Sequence, residues 1–105
     1  MSDSMTQEFR NFGDFYPYYL SEHRDITCRR LHFVGTALVI ATACYAVVTG
    51  QFALLWLMPV FGYGFAWAGH FFFEGNKPAT FHHPFYSLLG DFVMFRDVLT
   101  GRVRI

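Results

Sequence analysis

The feature that most constrains this chain is a block of 43 consecutive residues, 31–73, without a single Asp, Glu, Lys or Arg. All 16 charged residues lie outside it, nine in residues 1–30 and seven in residues 74–105. A membrane-spanning helix needs about 20 predominantly apolar residues, so the block is long enough to cross a bilayer twice. Its only readily titrated groups are His32 and His70. Any proposed fold must therefore accommodate two histidines in an otherwise uncharged segment.

The block divides into two candidate spans with one polar break between them. We assign the first span to residues 31–49 and the second to residues 52–72, because Gly50 and Gln51 interrupt the apolar run. A soluble bundle with two buried helices is the alternative, but its helices would need polar faces, and neither span shows one. We predict an all-α fold whose centre is a membrane helical hairpin of two transmembrane helices.

The segments outside the block predict flanking interfacial helices. Residues 9–24 are dense in aromatic side chains, which favour the headgroup level of a membrane. Residues 85–99 place apolar side chains at helical spacing and charged ones elsewhere, as in an amphipathic helix that lies on a membrane. Because no repeat, low-complexity tract or linker is present, we interpret residues 1–105 as a single membrane domain.

The basic residues predict the orientation. Three arginines shortly precede the first span and Lys77 follows the second, whereas the connecting turn is uncharged. The positive-inside rule then predicts an integral, multi-pass protein with both termini in the cytoplasm, in the inner membrane if the source is bacterial. A cleavable signal is not expected, because the apolar run begins only after 30 residues. A net charge of zero excludes a basic nucleic-acid binder.

The histidines of the block are symmetric about the predicted turn. His32 lies 19 residues before Gln51 and His70 lies 19 residues after it, so an antiparallel hairpin brings both imidazoles to the same depth. Glu74 follows His70 by four residues, and both can project from one helix face. These three residues form a candidate imidazole–imidazole–carboxylate set, which suits iron(II) or another divalent ion.

A third histidine joins this set only if the chain breaks. His23 lies nine residues before His32, and on one unbroken helix the two would point in opposite directions, about 13 Å apart. Asp25 or Thr27 can supply the break as the N-cap of the first span. The adjacent histidines at positions 82–83 lie in a loop beside a proline. Whether they add a ligand or only form the loop stays open.

Two ordered motifs resemble a known membrane family. Residues 19–35 have the form Y-x-x-x-H…H-x-x-G, and residues 67–79 have the form W-x-G-H-x-x-x-E-x-x-x-P-A. Over essentially its whole length the chain resembles the membrane 2-hydroxy-fatty-acid dioxygenases of fatty acid α-oxidation. The resemblance implies that three residues of this chain correspond to family histidines associated with iron(II). It also implies that a fourth residue corresponds to the acid of the second motif, which we take as catalytic. The metal residues are His23, His32 and His70, and the acid is Glu74.

The resemblance also implies a reaction and its partners. A 2-hydroxy fatty acid would lie with its tail in the membrane lipid and its head at the interface, where carboxylate and hydroxyl suit chelation of Fe²⁺. Reaction with O₂ would give the acid one carbon shorter, CO₂ and water, with all four electrons taken from the substrate. Chain length, stereochemistry and homo-oligomer formation stay open at this level.

Two other classes of function remain open from the residues alone. His32 and His70 on facing helices suit the axial ligation of a haem, as in a bis-histidine electron carrier. Alternatively, the chain is a membrane scaffold without enzymatic activity, in which small residues permit close helix packing. The small residues concerned are Gly35, Gly62 and Ala66.

Overall fold

The computed structural model describes residues 9–105, and its regular structure over that range is helical. The four α-helices are α1 (Phe12–Ser21), α2 (Ile26–Thr49), α3 (Leu57–Gly69) and α4 (Pro84–Leu99). Shorter helical turns extend or join them, two of 3₁₀ type (Phe52–Trp56 and Ala79–Phe81) and one of π type (His70–Glu74). The molecule is elongated, with extents of 51 × 26 × 25 Å. The all-α prediction is confirmed.

Helices α2 and α3 form an antiparallel hairpin that turns where the sequence predicts. α2 ends at Thr49 because Gly50 has a φ of +69°, a left-handed conformation that residues with a Cβ rarely adopt. The 3₁₀ turn Phe52–Trp56 then leads into α3. Pro59 stands in the first turn of α3, where proline is tolerated.

Both arms of the hairpin are long and apolar enough to cross a membrane. Ile26–Thr49 has 24 residues and Phe52–Glu74 has 23, with mean hydropathies of 2.0 and 1.4. A helix of 24 residues is about 36 Å long, against about 30 Å for the hydrocarbon core of a bilayer. Only 22% and 11% of these windows are buried within the protein, whereas the core helices of a soluble bundle are mostly buried. The exposure favours membrane spans, and the membrane hairpin itself stays a prediction.

The first arm begins at Ile26 rather than near residue 31. Asp25 is its N-cap, with extended backbone and a side-chain Oδ1 that accepts a hydrogen bond from the Cys28 amide at 2.9 Å. α1 ends at Ser21, so the chain is not helical between α1 and α2. The predicted break between His23 and His32, and one of its two candidate caps, are confirmed.

Helices α1 and α4 pack together and cover the open end of the hairpin. A buried apolar cluster includes Phe15, Tyr19, Ala79, Met94 and Val103. Two hydrogen bonds join the helices: Tyr16 donates to Asp97 at 2.8 Å, and Tyr19 donates to Asp91. The outer face of α4 remains apolar, with Phe85 85% exposed. α1 and α4 lie within or close to the predicted segments 9–24 and 85–99, and their position at a membrane surface stays a prediction.

Candidate metal centre

Three histidines from three elements meet at the open end of the hairpin. His23 lies in the loop after α1, His32 lies in the second turn of α2, and His70 begins the π turn that follows α3. The Nε2 atom of His23 lies 3.0 Å from that of His32 and 2.9 Å from that of His70. All three side chains are buried. Their arrangement is that of a group able to hold one metal ion.

The other ring nitrogen of each imidazole faces a hydrogen-bond acceptor. The Nδ1 atom of His23 lies 2.6 Å from the carbonyl oxygen of Tyr19, and that of His32 lies 2.9 Å from the carbonyl oxygen of Cys28. The Nδ1 atom of His70 lies 2.6 Å from the Oδ1 atom of Asn76. A carbonyl oxygen only accepts, so each Nδ1 carries the proton. The Nε2 atoms are then unprotonated, and three lone pairs converge.

This convergence fits a single cation. A neutral imidazole protonated at Nδ1 cannot donate from Nε2, so the short contacts between Nε2 atoms are not hydrogen bonds. Two nitrogen ligands that lie about 2.1 Å from one ion, at right angles to each other, are about 3.0 Å apart. The separations of the Nε2 atom of His23 from those of His32 and His70, 3.0 and 2.9 Å, are close to this value. Hydrogen bonds from Nδ1 to carbonyls are also the contacts that orient histidines around metals. The residues present therefore fit a divalent metal ion.

Burial keeps His23 in the form that binds metal. Removal from water lowers the pKa of His23 well below its usual range, and the nearby imidazoles of His32 and His70 lower it further. The hydrogen bond to the Tyr19 carbonyl opposes this shift but is smaller. Because a metal ligand must be unprotonated, His23 is available to a cation at neutral pH.

The π turn at residues 70–74 sets the orientation of His70. Gly75, with a φ of +74°, ends the turn, and the amides of Gly75 and Asn76 donate to the His70 carbonyl at 2.8 and 3.1 Å. This folds Asn76 back onto the imidazole of His70. The Nδ2 atom of Asn76 donates to the Glu22 carbonyl at 3.1 Å, which fixes the side-chain amide with its oxygen toward His70. Spacing in the sequence does not reveal this residue, because the wide turn breaks the helical period.

Glu74 lies outside the group of three histidines. Its Oε1 atom accepts a hydrogen bond from the backbone amide of Asp25, the N-cap of α2. The expectation that Glu74 shares a face with His70 assumes an α-helix, and the π turn changes that relation. Asn76, not Glu74, occupies the position beside Nδ1 of His70. A catalytic role for Glu74 stays a prediction.

A small polar chamber adjoins the histidines. Its volume is about 10 Å³, near the minimum for one water molecule. Besides the three histidines, its lining includes Tyr19, Thr80, Ser87 and Asp91. The Tyr19 ring stacks on His23 with centroids 4.0 Å apart, and burial raises the pKa of Asp91 to about 7. Ser87 and Asp91 could not be assigned to this chamber from the sequence, because the contacts that place them join distant parts of the chain.

Close approach of the two arms brings His32 and His70 together. A Cβ built on Gly69 would lie 2.9 Å from the Sγ atom of Cys28, so only glycine permits this contact. Cys28 is fully buried, which agrees with its packing against α3. Arg29 donates from Nε to the His23 carbonyl at 2.5 Å and thereby holds the loop that carries this histidine.

The loop histidines at 82–83 do not belong to the cluster. His82 is exposed, and His83 packs between aromatic rings. The ring centroid of His83 lies 5.2 Å from that of Phe9 and 5.5 Å from that of Phe15. The described contacts of His83 are therefore those of a packing residue at the start of α4.

Comparison with known proteins identifies the family. A family model described as 2-hydroxy-palmitic acid dioxygenase Mpo1-like matches residues 9–103. The matched range contains all four helices and the three clustered histidines. No curated protein and no solved structure matches the chain. Because the family model spans nearly the whole chain, this protein belongs to the Mpo1-like family.

Proposed function

We propose that this protein is an iron(II)-dependent membrane dioxygenase that converts 2-hydroxy fatty acids to the acid one carbon shorter. The family description, which names a 2-hydroxy-palmitic acid dioxygenase, supports this substrate class and a reaction with O₂. The observation that carries the proposal is the convergence of three Nε2 atoms, those of His23, His32 and His70, in a buried site. Three protein nitrogens leave coordination positions open, as an iron oxygenase requires.

The position of the cluster suits a substrate that is part lipid and part acid. The three histidines lie at the end of the hairpin opposite Gly50, close to the charged flanks of the sequence. In the proposed topology this end faces the cytoplasm. A fatty acid whose tail lies among the lipids would present its carboxylate and hydroxyl at the same level.

The reaction balances without a second reductant. The bond between C1 and C2 of the hydroxy acid breaks, C1 leaves as CO₂, and C2 becomes the carboxyl carbon of the shorter acid. One O₂ is consumed and one water is formed, and the four electrons come from the substrate. Bound Fe²⁺ would supply the redox chemistry needed to use O₂, which amino-acid side chains lack.

The surrounding residues hold the site and keep bulk water away. The carbonyls of Tyr19 and Cys28 and the amide of Asn76 orient the three imidazoles. We propose that Glu74 is a positioning residue, because its carboxylate holds the amide of Asp25, two residues beyond His23. Substitution of Glu74 would then disturb the loop that carries His23.

The third histidine argues against the haem alternative. A haem requires a flat space between two axial imidazoles. Here the imidazole of His23 touches both of the others, with ring centroids 4.3 Å from His32 and 4.4 Å from His70. The centroids of His32 and His70 are themselves 4.9 Å apart, which leaves no such space between those rings.

Turnover of a defined substrate tests this function. Protein purified anaerobically in detergent and loaded with Fe²⁺ is mixed with 2-hydroxy-palmitic acid and O₂, without 2-oxoglutarate or NADPH. We expect the acid one carbon shorter and CO₂, each equimolar with the O₂ consumed. His70→Ala should abolish the reaction, and His82→Ala serves as the control because His82 is exposed and outside the cluster. Absence of the shorter acid would refute the proposal, and a Soret band would favour a haem protein.

A further inference from the structure

A second cavity lies between α2, α3 and α4, beside the metal centre. We call it the lateral cavity, and its volume is about 230 Å³. Its apolar walls include Val39 of α2, Met58, Pro59 and Gly62 of α3, and Leu88 and Phe92 of α4. Leu88 is 50% exposed, so the cavity opens to the surroundings of the helices on the side of α4.

The lateral cavity runs from the level of the histidines toward the turn of the hairpin. Val39 lies seven residues beyond His32, about 10 Å along the axis of α2. On the other arm, Gly62 lies eight residues before His70, about 12 Å away, and Met58 lies about 18 Å away. The cavity therefore follows the part of the hairpin that is proposed to lie in the membrane.

The inner end of the lateral cavity is polar and adjoins the metal centre. Asp91 lines both the lateral cavity and the small chamber that contains the histidines. Ser87 lies one helical turn before Asp91, is 2% exposed and also lines that chamber. Within the described part of the chain, the Ser87 hydroxyl has no hydrogen-bond partner. A buried hydroxyl without a partner is unfavourable, so Ser87 can donate a hydrogen bond to a polar group that enters this end of the cavity.

We propose that the lateral cavity binds the proximal part of the substrate's acyl chain, with the hydroxy acid group beside Ser87 and Asp91. This inference rests on the proposed function and adds where the tail lies and what selects for it. An apolar cavity of about 150 Å³ holds a molecule the size of benzene, which has six carbons. At the same volume per carbon, the lateral cavity holds about nine carbons of an acyl chain. Longer chains extend through the opening beside Leu88 into the lipid.

Two glycines of α3 provide a matched pair of variants. A Cβ on Gly62 would meet Val39 at 3.4 Å, an ordinary contact, so Gly62→Leu extends into the lateral cavity that Gly62 lines. A Cβ on Gly64 would meet no described atom within 4 Å, and Gly64 is exposed. Gly64→Leu therefore adds the same atoms to the outer surface of the same helix.

Substrate preference tests the inference. We would measure kcat/KM of the iron-loaded protein for a long-chain and a short-chain 2-hydroxy acid. Gly62→Leu should lower the ratio of long-chain to short-chain kcat/KM at least about tenfold, and Gly64→Leu should change it less than about twofold. Equal ratios in the wild type and both variants would overturn the inference.

A binding measurement keeps the test independent of turnover. Metal-free wild-type protein in detergent is exposed to a 2-hydroxy fatty acid with a photoreactive diazirine at about its sixth carbon. Mass spectrometry should locate the cross-link at the lateral cavity, on Leu88 or Phe92, and Gly62→Leu should remove it. Cross-links confined to other surfaces would refute the inference even if a variant fails to fold. If the wild type is cross-linked in the lateral cavity but does not turn over the substrate, the proposed reaction is refuted and the inference about the cavity stands.

Discussion

At the scale of single residues, the three histidines differ in the kind of group that accepts the hydrogen bond from Nδ1. The Nδ1 acceptors of His23 and His32 are backbone carbonyls, which substitution of a side chain does not remove. The acceptor of His70 is the side chain of Asn76, which also binds the Glu22 carbonyl. Asn76 is therefore the residue through which the orientation of a metal ligand can be changed most selectively.

We expect Asn76→Leu to weaken metal binding about 10- to 100-fold, the usual effect of losing a residue that orients a ligand. The Nδ1–H of His70 would lose its acceptor, so the ring would no longer be held toward the other imidazoles. Titration of the metal-free protein with Fe²⁺ under anaerobic conditions measures the change. Asn76→Asp retains an acceptor and should restore most of the affinity. Equal affinity in the wild type and Asn76→Leu would show that this contact does not orient the ligand.

The burial of His23 predicts a pH dependence of stability. Because its pKa is lowered on folding, the unfolded chain binds more protons than the folded chain at pH values just below about 6.5. The free energy of unfolding of the metal-free protein should therefore fall as the pH drops below about 6.5, by up to about 1.4 kcal/mol per pH unit for this group. Thermal unfolding in detergent across this range checks the trend. His23→Gln should give a shallower slope, and an unchanged slope would contradict the assignment.

At the scale of elements, one of the glycines at which the two arms approach each other closely lies beside the site. Gly69 precedes His70, and its Cα faces Cys28 on α2. A Cβ at this position would also lie 3.2 Å from the Cα atom of Cys28, and backbone cannot move aside as a flexible side chain can. The distance between the arms therefore depends directly on the absence of a side chain at Gly69.

Gly69→Ala should accordingly separate the arms beside the histidines. We expect a loss of about 1–3 kcal/mol in stability, the usual cost of overpacking, together with reduced metal content. Gly64→Ala is the matched control, because its added Cβ would meet no described atom within 4 Å. Melting temperature and bound iron should fall for Gly69→Ala only. If both variants behave like the wild type, close packing at Gly69 does not control the site.

The sequence predicts the elements better than it predicts the surroundings of the site. The uncharged block and the symmetric positions of His32 and His70 about Gln51 are enough to predict that these two imidazoles meet. The loop that admits His23 follows from the capping preference of Asp25. The π turn does not follow, because a widened turn leaves no periodic signal, and it changes the expected relation of Glu74 to His70. Asp91 is placed by a contact between helices far apart in sequence.

At the scale of the whole molecule, the proposed topology has a direct test. In the variant Gln51→Cys, the introduced thiol should react with a membrane-impermeant thiol reagent applied to the non-cytoplasmic side of intact cells. In Thr100→Cys, just after α4, the introduced thiol should react only after the membrane is permeabilised. The unmodified chain is the control, because Cys28 is buried and Cys44 lies within the first arm. The reverse pattern would show that the orientation is inverted, and reaction of both positions in intact cells would contradict the two-span topology.

The whole fold serves to bring distant residues to one end of a hairpin. α1 carries the chain to His23, the two arms carry His32 and His70, and α4 adds Ser87 and Asp91 from the C-terminal side. In a chain of 105 residues this arrangement leaves most of each arm exposed, which is the surface that lipid would cover. The site and the proposed membrane location are thus consequences of the same architecture.

The most direct test of the account is the metal content of the protein purified anaerobically in detergent with Fe²⁺ supplied. We expect about one ferrous ion per chain, lost in each of the variants His23→Ala, His32→Ala and His70→Ala. His82→Ala should retain the ion, because His82 lies outside the cluster. A wild-type protein without bound metal, or one whose metal survives all three substitutions, would contradict the central claim that these three imidazoles form the metal centre.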